Sequence, residues 1–223
     1  MSMNPLLQEI AVCVEAGKID KASPYPPAMA GQEGADEITA KALAEGATVE
    51  EILEHGLMAG MEKVGIAFRD NLIFVPQVLM SARAMSAAMN HLKPHFASGA
   101  SERKGTFIIG TVEGDLHDIG KNLVAMMAEG NGYEVIDLGV DVKPDTFIEK
   151  AEQHPDSVIG LSCLLTTTMP NMAATVRAIK DKDPARKVCI GGAPVHEDFC
   201  QQIGADSYHP DPQGAVEYLD SIH

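Results

Sequence analysis

The spacing of apolar residues changes close to residue 100 and divides the chain into two halves. In the first half the apolar residues recur at helical spacing, as Leu7, Ile10 and Val14 do in the first predicted helix. The pattern predicts helices over residues 4–17, 36–45, 48–68 and 76–92, with a Pro- and Gly-rich loop at 23–34 and otherwise short turns. Four helices with short connections predict a small bundle.

From residue 105 onward, short apolar runs alternate with amphipathic helices. Strands are predicted over residues 106–112, 133–138, 158–162 and 187–190 and near 206, each followed by a helix. This alternation predicts βαβ units and a parallel sheet. Such a sheet binds ligands beyond the carboxyl ends of its strands, so the candidate functional loops are 113–120, 139–143, 162–169 and 191–196.

The two patterns together predict an α domain followed by an α/β domain. We expect a four-helix bundle over residues 1–96, a small polar linker at 97–104 and a Rossmann-like, flavodoxin-type parallel sheet over 105–223. Inside the bundle, Gly56 and Gly60 lower helix propensity, which indicates that a neighbouring backbone approaches them closely. Pro94 is expected to end the last helix, which also argues against a zinc site built from His91 and His95.

Composition narrows the possible functions. Acidic residues outnumber basic ones by 32 to 17, and the net charge of −15 argues against a nucleic-acid partner, since a phosphate backbone is bound by clustered Lys and Arg. No apolar run approaches the ~18 residues of a membrane-spanning helix, and the N-terminal residues do not resemble a signal peptide. The four cysteines contain no CxxC pair and are expected to be reduced thiols of a cytoplasmic protein.

The loop after the first predicted strand carries the most chemistry. It reads Gly114-Asp115-Leu116-His117-Asp118-Ile119-Gly120-Lys121-Asn122. One interpretation is an ordinary turn in which Asp118 caps the next helix. A phosphate-binding P-loop fits poorly, because five residues separate Gly114 from Gly120 and Asn122 replaces the required hydroxyl residue.

A third interpretation makes His117 a metal ligand. It lies on a predicted ligand-binding loop, two residues after Asp115, and a ligating histidine usually donates its other ring N–H to a carboxylate. One histidine cannot hold a free metal ion by itself. It can supply one axial ligand to a metal that a macrocycle already holds.

Several motifs together resemble the cobalamin-binding (corrinoid) proteins, which include the corrinoid module of methionine synthase and the corrinoid subunits of anaerobic methyltransferase systems. In the second half the resemblance rests on the DxHxxG motif from Asp115 to Gly120, Ser162-Cys163-Leu164 as SxL, Gly191-Gly192, Asp137-Leu138-Gly139 and Gly204-Ala205-Asp206-Ser207-Tyr208. In the first half it rests on Gly60-Met61 to Val64-Gly65, Phe68, and Phe74-Val75-Pro76-Gln77 through Ser81-Ala82-Arg83. The resemblance covers nearly the whole chain and implies a helical cap domain before a cobalamin-binding domain.

The resemblance also implies the site. His117 would replace the cofactor's own base below cobalt, Asp115 would hold the far nitrogen of His117, and Thr168, where methionine synthase has serine, would complete the relay. The displaced nucleotide tail would enter a slot walled by Ser162, Thr166, Gly191 and Gly192. The full set of expected cofactor-binding residues is Gly114, Asp115, Leu116, His117, Asp118, Ile119, Gly120, Gly139, Ser162, Leu164, Thr166, Thr168, Gly191, Gly192, Tyr208 and Phe74.

Phe74 has two interpretations at this stage. It lies at the start of the last predicted helix, where it would either shield the upper face of the corrin ring or belong to the bundle core.

The implied function is that of a methyl carrier. The cobalt of methylcobalamin or a related corrinoid would take a methyl group from a donor on a substrate-specific methyltransferase and pass it to tetrahydrofolate or a thiol on an acceptor methyltransferase, with a reductive activase as a further partner. The chain is too short to add a donor-binding barrel of ~250 residues, so we do not expect it to turn over alone. A cobalamin-dependent sensor, which needs an output module, and the small subunit of a cobalamin-dependent mutase, which usually lacks the cap, are the alternatives.

Overall fold

A computed structural model describes residues 4–97 and 103–222. Within these ranges the chain forms two compact units, one built of helices and one in which strands and helices alternate. The predicted fold class is therefore confirmed. Residues 98–102, most of the predicted linker, lie outside the described residues, and the domain boundaries stay predictions.

The helical unit contains the four predicted helical regions. They are α1 (Pro5–Ala16), α2 (Ala35–Ala44), a continuous run of α3 (Val49–Glu51), a π-helical segment (Ile52–Met58) and α4 (Ala59–Arg69), and finally α5 (Val75–Ala97). Asn4 caps α1 by accepting the Leu6 N–H at 3.0 Å, and Thr48 and Glu51 form a capping box at the start of α3. The sequence pattern gave no sign of the π-helical segment.

Gly56 and Gly60 allow close packing against α1, as predicted. A Cβ atom on Gly60 would lie 2.8 Å from the carbonyl oxygen of Ala11, and one on Gly56 would lie 3.0 Å from Cγ2 of Ile10. Both distances are shorter than ordinary carbon contacts, so glycine at these positions lets α1 approach the π-helical segment and α4.

The prediction for Pro94 is wrong, because α5 continues through it to Ala97. A proline removes one backbone donor, and near the last turn of a helix this costs little of the hydrogen-bond ladder. Upstream of Pro94 on the same helix, Nε2 of His91 lies 2.8 Å from Oδ1 of Asp36 on α2.

The α/β unit is a five-stranded parallel sheet in the order β2-β1-β3-β4-β5. Its elements follow one another as β1 (Thr106–Thr111), α6 (Ile119–Gly130), β2 (Glu134–Asp137), α7 (Pro144–Gln153), β3 (Val158–Ser162), α8 (Met169–Lys182), β4 (Val188–Gly191), α9 (Glu197–Ile203), β5 (Ser207–Tyr208) and α10 (Pro212–Ile222). This is the flavodoxin-type strand order that the sequence predicts. Within the described ranges, the structure contains no helix with the length and apolarity needed to cross a bilayer.

The three central strands β1, β3 and β4 are buried on both faces, which explains their uninterrupted apolar runs. Along β1 the side chains alternate: Ile108 packs with Phe147 and Ile159 on one face, and Phe107 packs with Tyr133 on the other. The core therefore fixes the strands from both sides and leaves the loops at their carboxyl ends exposed for function.

The strand order creates a switch point between β1 and β3. From β1 the chain crosses outward to β2, and from β3 it crosses in the opposite direction to β4. The loops after β1 and β3 therefore part and leave a crevice at the carboxyl edge of the sheet, where ligands of such folds bind. The loop at residues 113–120, which carries the DxHxxG motif and is called the motif loop below, follows β1, and the SxL residues begin at Ser162, the last residue of β3.

Gly192, directly after β4, lies against the backbone of Cys163, the residue that follows β3. Its φ is 129°, and a Cβ atom there would lie 1.7 Å from the carbonyl oxygen of Cys163. Glycine is therefore required by a contact within the protein, between the β4 loop and the end of β3.

We expect Gly192→Ala to lower the free energy of unfolding by about 2–4 kcal/mol, because both backbone strain and a steric clash result. Gly120→Ala is the control, since a Cβ atom on Gly120 meets open space, and it should stay within about 1 kcal/mol of the native value. Urea unfolding of the protein without added ligand measures both. Native-like stability of Gly192→Ala would contradict the described packing.

Candidate functional site

The motif loop after β1 is fixed at both ends by side chains of regular elements. The buried hydroxyl of Thr111, the last residue of β1, donates to the carbonyl of His117 at 2.9 Å. The amide of Asn171 on α8 donates to the carbonyl of Glu113 at 2.8 Å. The loop that presents His117 is therefore held to β1 and to the helix that follows β3.

Asp141, in the loop after β2, holds the middle of the motif loop. Its carboxylate accepts the N–H of Gly114 at 2.7 Å, and its own N–H donates to the carbonyl of Asp115 at 3.0 Å. Asp141 has a φ of 55°, a conformation that aspartate tolerates better than most residues. The loops after β1 and β2 thus support each other.

The Asp115 carboxylate is the centre of the site. Its side chain is fully buried and accepts hydrogen bonds on both oxygens. Oδ1 accepts the backbone N–H of His117 at 3.0 Å and lies 2.8 Å from its Nδ1. Oδ2 accepts the N–H groups of Leu164 and Leu165 at 2.8 and 3.2 Å and the hydroxyl of Thr168 at 2.9 Å. One carboxylate thus joins the loops after β1 and β3 across the switch point.

These hydrogen bonds keep Asp115 ionised. Burial acts to raise its pKa, but the donors from Leu164, His117 and Thr168 outweigh burial and hold the pKa of this carboxyl well below its usual range. An ionised carboxylate only accepts hydrogen bonds, so the proton between Asp115 and His117 belongs to Nδ1 of the histidine.

That proton determines which nitrogen of His117 can bind a ligand. With Nδ1 protonated, neutral His117 carries its lone pair on Nε2. The side chain is 50% exposed. His117 therefore presents a basic nitrogen at the crevice while its opposite nitrogen is held, the arrangement of a metal-ligating histidine with an outer carboxylate.

Thr168 stands at the N-terminal cap position of α8, yet its side chain makes no cap hydrogen bond. Its hydroxyl instead reaches Asp115 Oδ2, and the residue is 5% exposed. The Thr168 side chain therefore serves Asp115 and not the N-terminus of α8. The methyl group that threonine adds to serine does not prevent the hydrogen bond to Asp115.

Exposed aliphatic side chains lie on the loops at the same edge of the sheet as His117. Among the large apolar side chains that are exposed, five lie on the loops after β1, β2 and β3 or at the first residue of α6: Leu116, Ile119, Val140, Leu164 and Leu165. Clusters of exposed apolar side chains mark binding surfaces. A flat, largely apolar macrocycle with a central metal fits this edge, because the metal needs one basic nitrogen and the ring needs apolar neighbours.

The remaining predicted residues lie at the same edge of the sheet, with one exception. Ser162 ends β3 and pairs in register with Gly191 on β4, while Tyr208 on β5 pairs with Ile190. Gly139 has a φ of 84° and donates its N–H to Oδ1 of Asp137 at 2.9 Å. Gly114, Asp118, Gly120 and Thr166 are exposed on these loops or at the start of α6.

Phe74 is the exception, since it belongs to the helical unit. Its N–H donates to Oε1 of Gln77 at 3.1 Å, which fixes its backbone at the start of α5. Its side chain is 62% exposed. The interpretation of Phe74 as bundle core is therefore wrong.

Three residues of this network were not among those singled out from the sequence. Asp141 lies in a loop that was expected to be functional, but no motif identifies it. Thr111 and Asn171 lie on a strand and a helix where a polar side chain has many other uses. Their contacts depend on the register of β1 and the start of α8, which a single sequence does not specify to the residue.

Two family models match the chain. Both are described as a B12 binding domain; one covers residues 105–216, which include the whole site, and the other covers residues 31–93 of the helical unit. Together they account for most of both units.

Curated relatives and solved structures agree with these matches. Trimethylamine corrinoid protein 1 of Methanosarcina mazei is 43% identical over 79% of this chain and 83% of its own length, and a corrinoid protein of Desulfitobacterium hafniense is 39% identical over 83% and 88%. A crystal structure of a cobalamin-binding protein from Desulfitobacterium hafniense superposes with a TM-score of 0.76 at 30% identity and covers 100% of this chain and 99% of its own. One chain of the methanol:cobalamin methyltransferase complex of Methanosarcina barkeri superposes with a TM-score of 0.78 at 28% identity, covering 99% of this chain and 80% of that chain.

The fold, the loop motifs and these relatives lead to one assignment. The chain belongs to the B12-binding protein family and is a corrinoid protein of the methyltransferase type, whose cofactor is a cobalamin or related corrinoid with its cobalt.

Proposed function

We propose that this protein carries a methyl group on a corrinoid between a substrate-specific methyltransferase and an acceptor methyltransferase, with His117 as the lower ligand of cobalt. The observation that carries this proposal is the buried Asp115 carboxylate, which leaves Nε2 of half-exposed His117 as its basic nitrogen. When bound, the corrinoid supplies the chemistry, since its cobalt accepts a methyl group and gives it up again.

The chain's own residues bind and orient this cofactor. Nε2 of His117 would ligate the metal, and Asp115, itself held by Thr168, would fix the imidazole ring at its other nitrogen. The exposed aliphatic side chains of the neighbouring loops would contact the macrocycle and exclude water from it. Ser162, the neighbouring glycines of β4 and Tyr208 form the wall along which the displaced nucleotide tail runs, in line with their positions at the ends of β3, β4 and β5.

The methyl donor and acceptor bind to partner proteins. Several relatives are named for trimethylamine or dimethylamine, and a structural relative is part of a methanol:cobalamin methyltransferase complex. We propose a methylamine or similarly small donor on the first methyltransferase, tetrahydrofolate or a thiol as acceptor on the second, and a reductive activase as a third partner.

We also propose a cytoplasmic location. Cys13, Cys163, Cys189 and Cys200 are free and buried. Free thiols are maintained in reducing compartments, which supports the proposal.

His117→Ala tests the ligand directly. We expect the variant to retain corrinoid after reconstitution with hydroxocobalamin and desalting, because tail contacts remain, and to lose the protein-derived nitrogen hyperfine splitting from the EPR spectrum of its Co(II) form. His55→Ala, at an exposed position of the helical unit, is the control and keeps the native spectrum. Unchanged nitrogen splitting in His117→Ala would remove His117 from the metal, and a colourless native protein would refute the whole proposal.

Asp115→Asn changes the proton on His117 without changing the shape of the side chain. Three donors converge on Oδ2, whereas only the backbone N–H and Nδ1–H of His117 meet Oδ1, so the asparagine oxygen takes the Oδ2 side and the amide NH₂ faces His117. His117 then accepts at Nδ1 and carries its proton on Nε2, which blocks ligation of cobalt. We expect the histidine-off form to dominate the Co(II) EPR spectrum at neutral pH; a native proportion of the histidine-on form would show that the carboxylate does not set the tautomer.

Phe74→Ala tests whether this side chain shields the methyl group. Because Phe74 is exposed in the helical unit, its removal should change the melting temperature little. A phenylalanine packed in a core would instead lose about 3–5 kcal/mol of unfolding free energy on the same substitution. We expect faster photolysis of the methylated protein, with Val12→Ala as the exposed apolar control. A native photolysis rate would assign shielding to another residue.

A further inference from the structure

Cys163, the middle residue of the SxL motif, contacts the Thr168 hydroxyl through its thiol. Its Sγ is 3.1 Å from Oγ1 of Thr168 and 3.2 Å from the carbonyl oxygen of Leu165. The Cys163 side chain is completely buried. None of its hydrogen-bonding capacity is therefore taken up by water.

The Thr168 hydroxyl has one proton and, besides the Cys163 sulfur, two oxygen acceptors within reach. Its Oγ1 lies 2.9 Å from Oδ2 of Asp115 and 2.9 Å from the carbonyl oxygen of Leu165. A hydroxyl donates one hydrogen bond at a time, so the relay to Asp115 depends on what else satisfies Leu165.

Two other donors can satisfy the Leu165 carbonyl. The backbone N–H of Thr168 donates to it at 3.0 Å and takes one lone pair. The thiol of Cys163 is the second donor. Burial raises the pKa of Cys163, so the group is a protonated thiol with an S–H to give.

We propose that Cys163 is a positioning residue of the relay beneath cobalt: its S–H donates to the Leu165 carbonyl and so directs the single Thr168 proton to Asp115. This inference rests on the proposed function of His117 as the cobalt ligand. Without the thiol, the second lone pair of Leu165 competes for that proton. Asp115 then loses one donor, and its hold on the Nδ1 proton of His117 changes.

The experiment compares thiol variants of the full chain loaded with corrinoid. The readout is the ratio of histidine-on to histidine-off Co(II) in EPR spectra at one pH and temperature. We expect Cys163→Ala to change this ratio by about two- to tenfold, the effect of one hydrogen bond. Cys163→Ser, which keeps a donor, should restore the ratio to within about twofold of native, and Cys189→Ala should leave it unchanged, because Cys189 is a buried thiol on the opposite face of the sheet.

A double variant separates positioning from loss of packing. Thr168→Val has no hydroxyl to direct, so adding Cys163→Ala to it should leave the ratio unchanged. An equal effect of Cys163→Ala with and without the Thr168 hydroxyl would overturn the proposal. So would a native ratio in Cys163→Ala.

A further measurement covers the case in which Cys163→Ala does not retain corrinoid. The S–H stretching band of Cys163, isolated as the infrared difference between the native protein and Cys163→Ser, should lie below the frequency of a free thiol. A band at the free-thiol frequency would overturn the proposal. If native protein lacks histidine nitrogen splitting, the proposed ligand role of His117 fails; if it shows the splitting and only the Cys163 results disagree, this inference fails alone.

Discussion

The site depends on one buried carboxylate whose charge is compensated entirely by hydrogen-bond donors of its own fold. Asp115 receives N–H groups from two backbone segments, one hydroxyl and one ring nitrogen, and no basic side chain takes part in that set. Leaving such a charge unpaired in the interior is costly, so every donor is held in place by the same requirement. The orientation of His117 is thereby a property of the fold and precedes any ligand.

The parallel sheet makes this convergence possible. Asp115 and Thr168 are 53 residues apart in sequence, yet β1 and β3 are neighbours and end at the same edge. The opposite crossovers from these two strands open the crevice between their loops, and Gly192 brings the β4 loop against the first of the residues after β3. The cofactor surface is thus an edge of the sheet, and the layers below it supply the rigidity.

The sequence predicted the fold well because its signals are local and redundant. Strand positions, cap residues and the glycines Gly56 and Gly60 each indicate their own environment, and the structure agrees with them. The motif residues Asp115, His117 and Thr168 were found through a resemblance, since DxHxxG alone is compatible with an ordinary turn. Asp141, the passage of α5 through Pro94 and the π-helical segment were missed because each depends on tertiary contacts or on the balance of one hydrogen bond against many.

The exposed aliphatic side chains near His117 in the sequence also affect the stability of the protein before it binds its cofactor. Leu116 and Ile119 are more than two thirds exposed, a poor arrangement for a chain that must stay dispersed. A ligand that covers them stabilises the folded chain by mass action and removes an adhesive surface at the same time. Corrinoid binding would therefore raise the stability of the folded chain as well as enable its activity.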